Sequence, residues 1–524
     1  MVAKNTRLAL LVINGDIYSR GARKLAGYVE NQGFDVKLLF FPIKRQTSGI
    51  KPGRIRSMDN QLLEEVTRFV ADSQVIGFSC MTDFMPVARQ IGNLLRSRYP
   101  DKLFLLGGVH AIQNREDAVT ETFADGICFQ EGEKPLVELL NSIEDKRSFR
   151  SVAGFYFKSD DAISKNQPSE VVSLDKLPLI DPGRGFIALD KSIRPITEND
   201  LKKFFGTTYW TDFSRGCPYH CSYCIHSRLV KEHGVRVKRV SPDYFIAETK
   251  MILDKYPFFN CLCFCDETVT AHPGPYLEEL FGKYNQSINL PFTTYIDPFS
   301  STERKIDLLI ESGLSKLKIG VQSCSENVCE NVFDRRTDLA KLASIMRQVS
   351  KLNQNRSYPV LDFITSVPWA KADDKIENYR KAATLEPPFH TEVFTLSYYP
   401  GSMIYERALN EKYITKIASQ QNHVRPQPTV ENLLLKTLGI VKLPQSLIDV
   451  FCARGWPASN KKIPIIFWLV YYFLVFRKLT RQVVSADPTL LPYGIVRFFQ
   501  GLGFFSVRKT TRGVINNYGD QKYR

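Results

Sequence analysis

Arg215-Gly216-Cys217-Pro218-Tyr219-His220-Cys221-Ser222-Tyr223-Cys224 places three cysteines within eight residues, directly after the apolar, aromatic run Tyr209–Phe213. That run reads as a buried strand, and Gly216 and Pro218 then turn the chain. Iron–sulfur clusters take cysteine thiolates as ligands, and a cubane has four irons. Three thiolates leave one iron open to an incoming chelator, and no fourth cysteine follows at ferredoxin spacing. The same stretch also admits a structural zinc site, since His220 or His226 could supply a fourth ligand.

Downstream, strand-like runs alternate with helical periodicity. The strands are Tyr209–Phe213, Cys261–Cys265, Phe292–Asp297, Lys316–Ser323, Val360–Ser366 and Val393–Tyr399; Tyr244–Lys255 and Leu339–Leu352 are among the helices. Strand–helix units in this number predict a partial (β/α)6 TIM-like barrel over residues 206–405, with its active site at the strands' C-terminal ends. Upstream, Leu8–Asn14, Val36–Phe41, Val75–Cys80, Leu103–Gly107 and Gly126–Phe129 alternate with helices such as Met85–Ser97. The α/β pattern over residues 1–150 predicts a doubly wound, Rossmann-like parallel sheet. Residues 151–205, with a hairpin-like Val152–Phe157 and four prolines, read as a linker wrapped between the two units. Residues 406–524 are expected to be mostly helical.

Size and charge bound the rest. The chain has 524 residues, too many for one ordinary core, and a net charge of +15, with Arg477, Lys478, Arg481, Arg508, Lys509 and Arg512 near its end. Eleven unevenly spaced cysteines in a chain this large fit a reducing compartment, and no signal-peptide pattern opens the sequence, so a cytoplasmic location is expected. The apolar run 463–476, flanked by Lys461, Lys462, Arg477 and Lys478, would span about 21 Å as a helix, short of the roughly 30 Å hydrocarbon core. It is read as a buried helix or as one lying in the membrane interface, which would make contact with the inner face of the membrane peripheral.

The Cys-x3-Cys-x2-Cys spacing, with Tyr223 before the last cysteine and a barrel strand just before the loop, resembles the radical S-adenosylmethionine superfamily. Membership implies a [4Fe–4S] cluster on Cys217, Cys221 and Cys224. Its open iron would bind S-adenosylmethionine, which is cleaved to a 5′-deoxyadenosyl radical. Other stretches resemble that family's cofactor-contacting strand ends: Asp266-Glu267 after the second strand and Gly320-Val321-Gln322-Ser323 after the fourth. The resemblance therefore assigns Asp266, Glu267, Gln322 and Ser323 to S-adenosylmethionine, with Gln322 standing where the family has Glu. Asp362-Phe363-Ile364-Thr365-Ser366-Val367-Pro368 matches the fifth-strand motif, with Ser366 in place of glycine.

Strand ends in the first unit carry Asp16-Ile17-Tyr18-Ser19-Arg20-Gly21, Ser79-Cys80-Met81-Thr82, Gly107-Gly108 and Glu131-Gly132-Glu133. Glycine pairs let backbone approach a large ligand, and hydroxyls can bond a nucleotide tail. The set is similar to the cobalamin-binding domain that precedes the radical domain in one large subgroup. The resemblance implies that Asp16, Tyr18, Gly21, Ser79, Thr82, Gly107, Gly108, Glu131 and Gly132 bind cobalamin. Tyr18 stands where the family places its lower axial histidine.

A cobalamin-dependent radical enzyme is therefore expected, most simply a C-methyltransferase acting on an unactivated carbon of a lipid, tetrapyrrole or natural product. A radical cyclase or rearrangement enzyme, or a non-catalytic cobalamin-binding module, is the alternative. Expected partners are a small-molecule or lipid substrate and an electron donor of flavodoxin or ferredoxin type. Nucleic acid is not expected, because the first unit offers only Cys80 and Cys128 and so lacks the further cluster cysteines of methylthiotransferases. Cys261, Cys263 and Cys265 alternate along one strand, share a face, and read as small buried hydrophobes.

Overall fold

The computed structural model describes residues 4–43, 58–159, 162–226, 237–350, 359–415, 429–439 and 442–459. The apolar run 463–476 and the basic tail lie outside them. Among the described residues no helix is long and apolar enough to cross a membrane.

The first sheet has nine strands: β1 (Arg7–Ile13), β2 (Asp35–Phe40), β3 (Val75–Cys80), β4 (Leu103–Gly107), β5 (Gly126–Cys128), β6 (Phe155–Lys158), β7 (Ile163–Lys165), β8 (Phe186–Leu189) and β9 (Ser192–Pro195). Their order is β7-β6-β5-β4-β3-β1-β2-β8-β9, with β1 to β5 parallel. Within it the order β2-β1-β3-β4-β5 is the flavodoxin-like doubly wound arrangement, whose switch point lies between β1 and β3. Burial on both faces follows from β1 itself. Leu8, Leu10 and Val12 enter one core and Ala9, Leu11 and Ile13 the other, as a parallel strand covered on both sides requires.

The segment read as a linker does more than connect. β6 pairs antiparallel with β5, and β8 pairs parallel with β2 at the opposite edge, so residues 155–195 finish both edges of the sheet. Local polarity hides this, because short edge strands such as Ile163–Lys165 are exposed along their length and lack the apolar signature of the centre.

The second sheet comprises six parallel strands in sequential order: β10 (Thr208–Thr211), β13 (Cys261–Phe264), β14 (Phe292–Ile296), β15 (Leu314–Gln322), β16 (Val360–Thr365) and β17 (His390–Thr395). A two-stranded ribbon, β11 (Ser214–Arg215) and β12 (Lys238–Arg239), flanks the cysteine loop. This is the partial barrel, open between β10 and β17. Outward-facing Leu317, Ile319 and Val321 are buried under the helices, whereas Lys316, Lys318, Gly320 and Gln322 alternate with them and face the lumen. Beside the last strand, Phe389 N–H donates to the carbonyl of Gly439, bringing helix Val430–Leu438 against that edge. One continuous apolar core runs from the first sheet's inner face into the barrel's helical layer.

Candidate functional site

The cysteine loop leaves β11 and is fastened by its backbone. Ser222 N–H donates to the Phe333 carbonyl at 2.8 Å, Ile404 N–H to the Ser222 carbonyl at 2.9 Å, and Cys224 N–H to the Cys221 carbonyl at 2.9 Å. Tyr223 packs edge-on against Phe333, with ring centroids 4.9 Å apart. Burial pushes the Cys217 thiol up to about 12 and Cys224 higher still. Buried thiols in this state are poor electrolytes, and a coordinated cation is what turns them into thiolates. No three acidic, histidine or cysteine side chains among the described residues converge on a point for one ion. A cubane asks for no such point, because each cysteine ligates a different iron.

Arg335 joins this loop to the end of β15. Its guanidinium donates to the Gly320 carbonyl at 2.6 Å and lies 3.6 Å from Cys221 Sγ, while its buried Nε finds no partner. An orphaned cationic donor beside the Cys221 thiol fits an anionic ligand set and the carboxylate of a chelating amino acid. Sequence reasoning missed Arg335, which sits 111 residues beyond Cys224 in no recognisable motif.

The residues assigned to S-adenosylmethionine divide. Glu267 is half-exposed at the mouth and 3.0 Å from His226. Gln322, at φ 67°, and Ser366, at φ 59°, hold left-handed backbone at neighbouring strand ends, a strained arrangement typical of functional turns. Ser323 is buried and accepts from Ser325 N–H at 3.1 Å. Asp266 points elsewhere. Its carboxylate accepts from Phe213 N–H and from the Ser214 hydroxyl, so it braces the entry to the cysteine loop.

In the first unit, Ser79 and Gly107 are register partners on β3 and β4. Thr82 Oγ1 lies 3.2 Å from His110 Nδ1. Gly108 has φ 81°, and a Cβ there would sit 2.6 Å from Cys80 N, a cradle only glycine can line. Asp16 Oδ1 accepts from Tyr18 N–H at 2.8 Å and shapes the turn after β1, and Gly21 opens the next helix with no atom near its Cβ position. These groups gather at the switch-point edge, where a doubly wound sheet takes its ligand. Together they fit a large cofactor such as cobalamin.

Tyr18 and Glu131 are engaged by residues beyond the first unit. The Tyr18 hydroxyl donates to the Phe204 carbonyl, and its ring stacks on Trp210 at 4.5 Å. Glu131 is taken up by Arg215 at 3.1 Å and Lys238 at 2.5 Å, with Gly132 between it and Glu133. Both residues therefore fasten the first unit to the barrel. Helix Arg20–Glu30 adds to the joint, since Arg20 reaches Asp212 at 2.9 Å, Tyr209 Oη at 2.7 Å and Glu248 at 2.5 Å. Burial alone would push Glu248 up, but Arg20 and Lys24 hold it below its ordinary value.

The lumen is aromatic at its walls and ionic within. Trp210, Cys263, Thr293 and Lys316 are neighbours in register, one layer below Tyr295 and Lys318. Lys318 Nζ lies 2.6 Å from Glu392 and 3.4 Å from Asp362, with the Phe394 ring 5.2 Å away. Asp362 Oδ1 is buried and has no partner. Cys263 and Cys265 bring their sulfurs to 3.5 Å on the same face.

Residues 6–140 match the B12 binding domain family and residues 211–378 the radical SAM superfamily, so the two units are domains of those kinds. The anaerobic magnesium-protoporphyrin IX monomethyl ester cyclase of Rubrivivax gelatinosus is 21% identical over 369 residues, which are 69% of this chain and 61% of that enzyme. The chain thus spans about three fifths of the length of that curated relative. The cobalamin-dependent radical SAM methyltransferase TokK of Streptomyces tokunonensis is 26% identical over 171 residues, 31% of this chain and 23% of TokK. Among solved structures, the radical S-adenosylmethionine methyltransferase TsrM of Kitasatospora setae, with tryptophan and an S-adenosylmethionine analogue bound, shares the fold. Its TM-score is 0.62 at 17% identity, over 78% of this chain and 76% of TsrM.

Proposed function

Because its two units are a B12-binding domain and a radical SAM domain, we infer that this protein is a cobalamin-dependent radical S-adenosylmethionine enzyme that methylates an unactivated carbon. The observation carrying the reading is the joint. Arg215, Arg20 and Tyr18 fix the sheet edge suited to cobalamin beside the mouth of the lumen, so a methyl donor and a radical source can address one substrate. With both groups bound, the cluster and S-adenosylmethionine supply a radical that removes a hydrogen atom, and cobalamin supplies the methyl group.

The chain's own residues set the stage. Cys217, Cys221 and Cys224 would hold the cluster, and Arg335 offsets the negative charge of their thiolates. Tyr295 and Phe394, both partly exposed beside Lys318, line a wall suited to a flat or apolar skeleton. The Lys318–Glu392 pair and the unpartnered Asp362 oxygen accept one polar end of it. A tetrapyrrole, isoprenoid or aromatic natural product meets that description. The similarity to the cyclase supports a second reading, oxidative ring closure on the same architecture.

Anaerobic reconstitution with iron, sulfide and cobalamin, followed by S-adenosylmethionine and dithionite, tests the reading. The wild type forms 5′-deoxyadenosine and a Cys217/Cys221/Cys224→Ala variant does not; S-adenosylhomocysteine alongside it marks methylation, and its absence marks cyclisation. A cluster-loaded wild type that makes no deoxyadenosine would remove the assignment.

A further inference from the structure

Tyr219 lies between two cluster cysteines, and its ring meets Phe299 edge-on with centroids 6.4 Å apart. Phe299 follows β14 and is 37% exposed. Two cations flank its ring: the Arg336 guanidinium at 5.6 Å and the Lys341 ammonium at 5.3 Å. Both side chains are exposed, and among the described residues neither has a carboxylate partner. The acidic groups around them are engaged: Asp334 lies 2.7 Å from His220, Asp338 accepts from Lys341 N–H at 2.9 Å, and Glu303 accepts from Ser344. Next in sequence to Arg336, Arg335 touches Cys221.

The Lys341 ammonium also donates to the Phe299 carbonyl at 3.0 Å. An exposed aromatic ring flanked by two cations that lack a carboxylate partner, and packed on the Tyr219 ring of the cysteine loop, is an arrangement for receiving an anionic protein carrying electrons. We propose that the surface formed by Phe299, Arg336 and Lys341 docks an acidic, flavodoxin-type electron carrier. This rests on the radical-enzyme reading above. In the encounter, an anionic flavin hydroquinone loses one electron to become the neutral semiquinone, and the [4Fe–4S] cluster goes from the 2+ to the 1+ state. No proton or covalent bond is exchanged. Tyr219 and Phe299 fill the space between the two centres with packed protein, and the cations steer the partner's acidic face.

The test uses the full-length, cluster-loaded chain and a recombinant bacterial flavodoxin as probe. Affinity is read from flavin fluorescence, and cluster reduction from bleaching under flavodoxin or under dithionite. Arg336→Glu/Lys341→Glu is expected to weaken flavodoxin binding about tenfold or more and to slow flavodoxin-driven bleaching to match. Dithionite-driven bleaching stays at the wild-type rate, and wild-type binding weakens with added salt. Arg147→Glu, an exposed charge reversal on the first unit, leaves binding unchanged. A double variant that binds flavodoxin as the wild type does, or an equal loss in Arg147→Glu, would overturn the proposal. The binding measurement decides this even if no deoxyadenosine forms with dithionite, a result that would strike only the radical assignment.

Discussion

Arg215, two residues before Cys217, donates to Glu133 of the first unit at 2.9 Å, and the same nitrogen lies 3.1 Å from Glu131. The Glu133 side chain is only 5% exposed, so this pair sits largely out of water at the joint between the two units. The loop that would hold the cluster is thereby anchored to the sheet that would hold cobalamin.

Removing Arg215 leaves a buried carboxylate without its counter-charge, a loss of about 3 kcal/mol or more for a pair of this kind. Arg215→Ala is expected to lower the melting temperature and the iron retained after reconstitution. Glu133→Gln in the same background should recover part of both. Equal iron content and melting temperature in Arg215→Ala and wild type would show that the joint does not depend on this pair.

Gly108→Ala tests the cradle at β4. Backbone at φ 81°, ψ −173° is essentially reserved to glycine and costs an alanine about 1–3 kcal/mol, and its Cβ meets the rigid backbone of Cys80 at 2.6 Å. The variant should unfold at lower temperature and lose cobalamin on gel filtration while keeping its cluster. Unchanged cobalamin retention would separate this turn from the cofactor.

Tyr18 stands at the position that the resemblance to the cobalamin-binding domain assigns to an axial histidine, and its side chain is engaged by Trp210 and Phe204. Tyr18→His is therefore expected to leave the cob(II)alamin electron paramagnetic resonance spectrum without nitrogen hyperfine splitting from a protein imidazole, as in the wild type. Its cost should appear in thermal stability, through lost stacking at the joint. Imidazole splitting in the variant would mean that residue 18 reaches the cobalt.

Burial pushes the Asp362 carboxyl from 3.8 up to about 7, outweighing the nearby Lys318 ammonium. The folded chain then keeps a proton that the unfolded chain releases between those two values. Stability from this group is greatest in acid and is lost as pH climbs toward about 7. Asp362→Asn stays neutral throughout, so its melting temperature relative to wild type should rise from about pH 5 to about pH 7 and level off beyond. A difference that is flat across that window would mean that Asp362 is ionised in the fold.

Sequence and structure agree where physics is local. Central strands such as Val75–Cys80 are continuous apolar runs because both faces are covered, and the cysteine spacing is complete within one loop. What escaped was long-range. Glu131 and Gly132 lie in a strand-end motif that resembles a cofactor contact, but Glu131's partner is 84 residues away in the barrel. Arg335 carries no motif at all. The β8–β9 hairpin reads as linker because its strands are only four residues each in a proline-bearing stretch; β8 is apolar and lies between β2 and β9, and only β9 is an exposed edge. Lys316 and Lys318 alternate with buried Leu317 and Ile319 along β15, yet two lysines facing a barrel interior make sense only once Glu392 and Asp362 are seen across from them.

The two hairpins that close the first sheet bear on how this molecule can be taken apart. One borders β5 and the other β2, and the second is reached only after the chain has crossed the whole sheet. A fragment ending at residue 150 would carry raw hydrogen-bonding edges on both flanks, an invitation to aggregate. A portable module ends after Pro195 instead, and a chimera spliced there would still have to supply its own Trp210, Asp212 and Arg215 to seat the transplanted half.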